Sequence, residues 1–510
     1  MIPQTRKNLY TNIANLVVNI VVGIYYTPYL VNQLGLAAYG IIPLTLIVNQ
    51  YISVLTGSLT SALSRFYTIY IQKENFAKAS EVISTSLIAI FVLILFIVPF
   101  FIWLVIDLDL VFNIPKQLQQ AAQLLFIFTG GSFFVSLISS SLNISLYAYN
   151  RLDLMNVITL TRIGFKFLLV IVFFESIEVN IIFVGLSNLC TELLVLILNI
   201  YFFLRQTKKK VKFGLSYFVR TTLVSILGMA VWTVIHQLGD VAIYRVDNII
   251  VNQYWGTELS GALGAVSEFG VYVSLVVGVI SSLFGPIILI AYSKQNHDEV
   301  QKLTMNDSLI VGVLSASIVG SLIGYSVPIL EIWLGKEFVV YNSWLILKML
   351  SLPFFSAAGI YAYVNRSWNK VKYPALFTVV LGVINIIGLI LISEKSTIDT
   401  MSVIKLMLFF SVFIIIVQSY GVNAFFFNRI YPGNAGQIKF VFLKICISIC
   451  VSICSSTILL KVYQPKNLVE LVLVLSITIL ISVLISVLTL FSTQQRLFIF
   501  SIHCCPEKIL

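Results

Sequence analysis

Apolar runs of about 20 residues, parted by short polar loops, recur from one end of the chain to the other. They fall near 10–32, 40–63, 81–106, 119–147, 155–174, 180–203, 218–250, 262–290, 306–327, 344–364, 374–393, 402–426, 439–460 and 468–491, and predict fourteen membrane-spanning helices. The first two are divided by Gln33-Leu34-Gly35-Leu36-Ala37-Ala38-Tyr39-Gly40, whose glycines suit a tight turn. Residues 8 to 64 carry no charge, so that turn alone sets the division. The run 439–460 holds a lysine, Lys444. The pattern predicts an all-α, polytopic membrane protein.

Composition agrees. Of 510 residues 59% are hydrophobic and 10% charged, against about 25% charged in a soluble domain, which excludes a water-soluble globule. The net charge of +11 would suggest nucleic acid in a soluble chain; here it sorts by loop. With the amino terminus inside, the cytoplasmic segments collect 22 lysines and arginines and the outer loops five. Positive residues accumulate in cytoplasmic loops, so both termini are expected in the cytoplasm and the chain in the cytoplasmic (inner) membrane, with no nucleic-acid partner. The run Lys208-Lys209-Lys210-Val211-Lys212 suits anionic lipid of the inner leaflet. The first run lacks a small-residue cleavage site and is expected to be a retained helix.

Three histidines and six cysteines form no HExxH or CxxC pattern, and no phosphate-binding glycine loop occurs. The expectation is a non-enzyme without cofactor or metal. Cys446, Cys450 and Cys454 recur every fourth residue and read as small packing residues; Cys504 and Cys505 read as free cytosolic thiols.

An internal repeat organises the first twelve predicted helices. Tyr147-Ala148-Tyr149-Asn150-Arg151 closes the fourth and Tyr361-Ala362-Tyr363-Val364-Asn365-Arg366 the tenth. Val31-Asn32-Gln33-Leu34-Gly35 closes the first and Val251-Asn252-Gln253-Tyr254-Trp255-Gly256 the seventh. Each pair jumps six helices, an even number, so the repeat is parallel, about an axis along the membrane normal. Such repeats build alternating-access transporters with a site between the halves. The expected divisions are a six-helix lobe at 1–212, a second at 213–430, and helices thirteen and fourteen with a tail at 431–510.

With Tyr29 to Tyr39-Gly40, Asp247-Asn248-Ile249-Ile250, Gly256, Gly261-Ala262, Phe284-Gly285-Pro286 and Trp333-Leu334-Gly335 in these places, the chain resembles the O-antigen-type (Wzx-like) polysaccharide flippases of the multidrug/oligosaccharidyl-lipid/polysaccharide exporter superfamily. The resemblance covers nearly the whole chain; the tail from Phe498 to Leu510 matches nothing in it. It implies carriage of undecaprenyl-pyrophosphate-linked oligosaccharide units to the outer leaflet by two rocking lobes, for O-antigen, capsule or exopolysaccharide. A polymerase and a chain-length protein of the same pathway are the implied partners, beside membrane lipid.

Ionisable residues inside spans are expensive and mark a pathway or a pair. Arg162 and Lys166 share a face of the fifth predicted helix, and Glu192 on the sixth lies level with Arg162, both being 15 positions from Ile177. Two readings follow: an Arg162–Glu192 pair that locks the hairpin and leaves Lys166 over, or a cationic lining for pyrophosphate, for which arginine offers a two-pronged fork. Arg65, closing the second helix, reads either as a positive-inside anchor or as a further head-group contact. On the seventh helix His236, Asp240 and Asp247 fall within about 40° at 100° per residue, with Arg245 nearly opposite and level with Glu268. These form either a pair and two acids near a wet outer mouth, or a stripe that couples transport to H+ or Na+. Lys348 and Lys405 lie near helix ends, where they can snorkel. The alternatives to a flippase are a cation-coupled multidrug exporter of the same superfamily and an integral-membrane polysaccharide polymerase; outer loops of 5–15 residues leave little room for the latter's acceptor site.

Overall fold

The structure, a computed structural model, describes residues 4–208, 210–282, 288, 291–292, 295–368, 370–394, 399–493 and 495–496; some side chains within those ranges, Arg65's among them, lie outside the description, as do Cys504 and Cys505. The helices are α1 (Gln4–Leu34), α2 (Ile41–Gln72), α3 (Phe76–Ile106), α4 (Gln119–Ala148), α5 (Leu152–Ser176), α6 (Ile181–Thr207), α7 (Arg220–Tyr244), α8 (Val246–Ser282) and α9 (His297–Gly324). They continue as α10, broken at Ser351 into Asn342–Leu350 and Leu352–Ser367, then α11 (Lys372–Ser393), α12 (Thr400–Ile416, prolonged by a π segment Val417–Ala424), α13 (Ala435–Val462) and α14 (Leu468–Leu490). Among the described residues there is no strand. Twelve helical stretches among the described residues are long and apolar enough to cross a membrane. The two predicted spans not among them, 40–63 and 218–250, fall on α2 and α7, whose middle side chains are outside the description. Large apolar side chains stand exposed along the helices, Phe96 at 81% and Leu480 at 69%, as a lipid-facing surface requires.

The chain divides into two compact units, Met1–Val241 with Asn248–Gly264, and Ala242–Asp247 with Ala265–Leu510. In the amino-terminal unit the start of α1 is bound to α5 by carboxamides: Gln4 donates to Asp153 (2.7 Å), Asn8 accepts from the Asp153 amide (3.0 Å), and Asn156 donates to Asn12 (2.8 Å). Two glycines set the approach of α8 to the first hairpin. A Cβ on Gly40 would lie 2.0 Å from the Thr257 carbonyl oxygen, and one on Gly261 2.5 Å from that of Leu36; small residues of this kind let membrane helices meet backbone to backbone.

In the carboxy-terminal unit α9 is the central post, with α10, α13 and α14 packed against it. Hydroxyls join it to α13 and α14, Ser317 with Ser448 (3.2 Å) and Ser321 with Ser482 (3.2 Å), and join α13 to α14, Ser448 with Ser486 (3.0 Å). Here the packing reading is corrected for two of the three cysteines, Cys446 being half-buried. Cys450 and Cys454 are exposed, because Ser448, Ser452 and Ser456 occupy the buried face of α13. Lys444 does not interrupt that helix. Its ammonium donates to the Leu490 carbonyl and lies 4.3 Å from the Phe440 ring centroid, so the charge has partners at its own depth.

Candidate functional site

The hairpin α5–α6 brings Arg162 and Glu192 together as equal spacing from Ile177 requires. Nε of Arg162 lies 2.7 Å from Oε1 of Glu192, and Nη2 donates to Oε2 at 3.1 Å, an ion pair with one hydrogen bond. The arginine side chain is 38% exposed and the glutamate 14%. The helix starts at Leu152, three residues before its predicted edge, which sets Arg162 about 15 Å along the axis at 1.5 Å per residue. One turn on, the Lys166 ammonium stands 5.3 Å from the Tyr26 ring centroid of α1. Tyr26 meets Phe167 edge-on and Tyr29 stacks on Phe174, so α1 and α5 are joined by carboxamides at one end and by aromatic rings and a cation further along. The pair and the lysine form a polar site with two cations and one acid. The side chain of the third expected cation, Arg65, lies outside the described residues.

The acidic stripe of the seventh predicted helix is not continuous. His236 and Asp240 do meet one turn apart, Nδ1 to Oδ2 at 3.0 Å. The helix then breaks at Arg245. The carbonyls of Ala242 and Ile243 accept from the Asn385 side chain, both at 3.2 Å, which satisfies backbone that a break inside a membrane would leave bare. Asp247 follows that break. It belongs to the carboxy-terminal unit, is 3% exposed, and takes an ion pair from Lys348 of α10. Lys348, expected to snorkel, is its partly buried partner, 18% exposed. Arg245 occupies the break itself; Glu268 follows on α8, beyond a second kink at Gly256, where φ is +84°.

One intramembrane acid escaped the hydropathy pattern. Asp307 stood at the edge of the predicted run 306–327, whereas α9 begins at His297, capped by Asn296, whose side chain accepts from the Glu299 amide at 3.1 Å. The capping sequence Asn296-His297-Asp298-Glu299, a capper followed three residues later by an acid, was the signal that would have lengthened the helix and set Asp307 deep inside it.

No family model matches the chain. A relative 25% identical over 393 residues, covering 74% of this chain and 75% of its own length, is the uncharacterized membrane protein EpsK of Bacillus subtilis strain 168. Among solved structures, the lipid II flippase MurJ in an inward closed conformation superposes with a TM-score of 0.63 at 16% identity, covering 96% of this chain and 99% of that one. An inward-facing multidrug resistance MATE family transporter of the MOP superfamily gives 0.62 at 14%, covering 84% and 99%. The chain thus has the all-helical fold shared by MATE transporters and the MurJ flippase.

Proposed function

We propose that the protein is a flippase that carries undecaprenyl-pyrophosphate-linked oligosaccharide units across the cytoplasmic membrane for assembly of a surface polysaccharide, by alternating access between lobes at 1–212 and 213–430, with 431–510 appended. One observation carries the reading: the MurJ superposition takes in 96% of the chain and the MATE superposition 84%, so the part of the chain that a drug exporter's fold leaves out is accommodated by the fold of a lipid-linked-substrate carrier. The membrane-embedded cations Arg162 and Lys166 suit an anionic cargo and, with Arg65, are the residues we assign to the pyrophosphate; Arg245 serves the same charge further along. Asp240, Asp247 and Glu268 are assigned to coupling with H+ or Na+.

Deleting the protein should abolish the surface polymer while labelled glycolipid accumulates facing the cytoplasm. Single units that reach the outer face but stay unpolymerised would make it a polymerase. A normal polymer with new sensitivity to cationic drugs would favour the multidrug exporter. Orientation is tested by reporter fusions: outside at Asp109, Lys336 and Gln464, inside at Lys209, Lys370 and Leu510.

A further inference from the structure

Asp307 lies ten residues into α9, about 15 Å from its first residue at 1.5 Å per residue. It is fully buried, and among the described residues neither carboxyl oxygen has a hydrogen-bond partner. At about 100° per residue, Val300, Thr304, Val311 and Ser315 share its face of the helix, and all four are fully buried. Asp298, Met305 and Leu309 project from the opposite face, where they line a cleft of 420 Å³ together with Lys302 and Lys444. The water and the lysines of that cleft are therefore on the wrong side of α9 to solvate this acid.

Among the described residues, the elements packed against α9 supply no counter-charge. Glu331, on the short helix Ser326–Trp333, lies 3.7 Å from Lys336; Lys348 of α10 is taken by Asp247; Lys444 of α13 binds the Leu490 carbonyl; Lys439 and Lys461 of α13 are exposed. Glu470 of α14 bonds Tyr463, Lys466 and Asn467 at the far end. Tyr361 and Tyr363 of α10 and Cys446 of α13 are neutral acids near pH 7. The side chain of Arg366 is outside the description. A buried carboxylate without a partner is far less stable than the neutral acid.

We propose that Asp307 is a proton-binding site: it carries a proton in this conformation and releases it, the O–H bond breaking and the proton passing to water, only in a conformation that wets its face of α9. A ligand that binds two conformations unequally shifts the balance between them, so the proton at Asp307 favours the dry packing of α9. The inference stands apart from the identity of the cargo.

The test is infrared spectroscopy of the full-length protein in lipid nanodiscs at neutral pH, with and without sodium. Wild type should show a protonated-carboxyl C=O band that Asp307→Asn loses by one group's amplitude, with the unfolding temperature unchanged and no effect of sodium. Asp307→Glu should shift the band, which keeps the test intact if the asparagine variant does not accumulate. No such band in wild type, a band indifferent to both substitutions, or a band that sodium removes would each overturn the proposal. None of these readouts depends on glycolipid transport.

Discussion

Each unit has a membrane-embedded ion pair between two helices, and the two pairs differ in how they are made. Arg162 and Glu192 meet across one hairpin, 30 residues apart in sequence, with the arginine 38% exposed. Asp247 and Lys348 meet across 101 residues, at 3% and 18% exposure. A hairpin pair is fixed by local geometry and can stay half open. A pair between distant helices exists only once the unit is packed, and packing removes the water that would tolerate either charge alone. The first pair should therefore be cheap to break and the second expensive.

The sharpest way to break this contrast is to remove one member of the distant pair. Asp247→Ala strands a partly buried ammonium and should cost about 3 kcal/mol, while Asp247→Leu with Lys348→Met should recover most of the loss, because a desolvated charge left alone is worse than no charge. Thermal unfolding of the purified protein reads both. A double variant no better than the single would show that the pair was not what held the break after α7 in place.

An uncharged contact supplies the next comparison. Gly261→Ala pushes a methyl group to 2.5 Å from the Leu36 carbonyl oxygen, which has no soft neighbour to yield; overpacking of this kind costs about 1–3 kcal/mol. Gly256→Ala meets nothing within 4 Å and carries only the strain of φ +84°, about 1 kcal/mol. Unfolding midpoints should follow that order.

The hairpin pair comes third. Arg162→Gln should cost about 1 kcal/mol, since a half-exposed pair gains little over water. Glu192→Gln should cost less still, because it leaves behind the better-solvated partner, whereas Arg162→Gln leaves the buried one. Equal losses would mean that the two side chains are more alike in burial than 38% and 14% imply. If Arg162→Gln with Glu192→Gln folds normally and yet fails to carry glycolipid, the arginine serves cargo as well as the hairpin.

What was legible in the sequence follows the same division. Helix number and the Arg162–Glu192 level came from periodicity and from counting outward from one turn, both local quantities. The His236–Asp240 contact came from a single helical turn. The break at Arg245 was not visible, because the side chain that donates to the carbonyls just before it, Asn385, is about 140 positions away. Lys348 looked like a helix-end lysine because nothing near it in sequence announces Asp247. Asp307 was hidden by a boundary: hydropathy marks where a helix becomes apolar, while the Asn296 cap marks where it begins. Cys446, Cys450 and Cys454 drew the eye to the wrong stripe of α13, since serine two positions on from cysteine falls on a different face at about 100° per residue.

The smallest effect concerns a carboxylate whose partners lie within its own turn. Asp399 caps α12; its carboxylate accepts from the Ser402 hydroxyl and from the Ser402 amide at 3.0 Å, and these bonds hold it below the ordinary carboxylate range. It precedes the apolar run and is exposed to solvent, so the contact is local and reversible. A folded-state pKa below the unfolded one stabilises the charged form: the contribution is complete above the unfolded value, about 4, and fades as pH falls through the folded one. Hydrogen-exchange protection at the Ser402 and Val403 amides should therefore be constant at neutral pH and fall on acidification. Asp399→Asn, which still caps a helix, should keep the protection and lose its pH dependence. Asp399→Ala should lose the protection at every pH while the global unfolding temperature barely moves, because a partner one turn away holds a helix end and nothing beyond it.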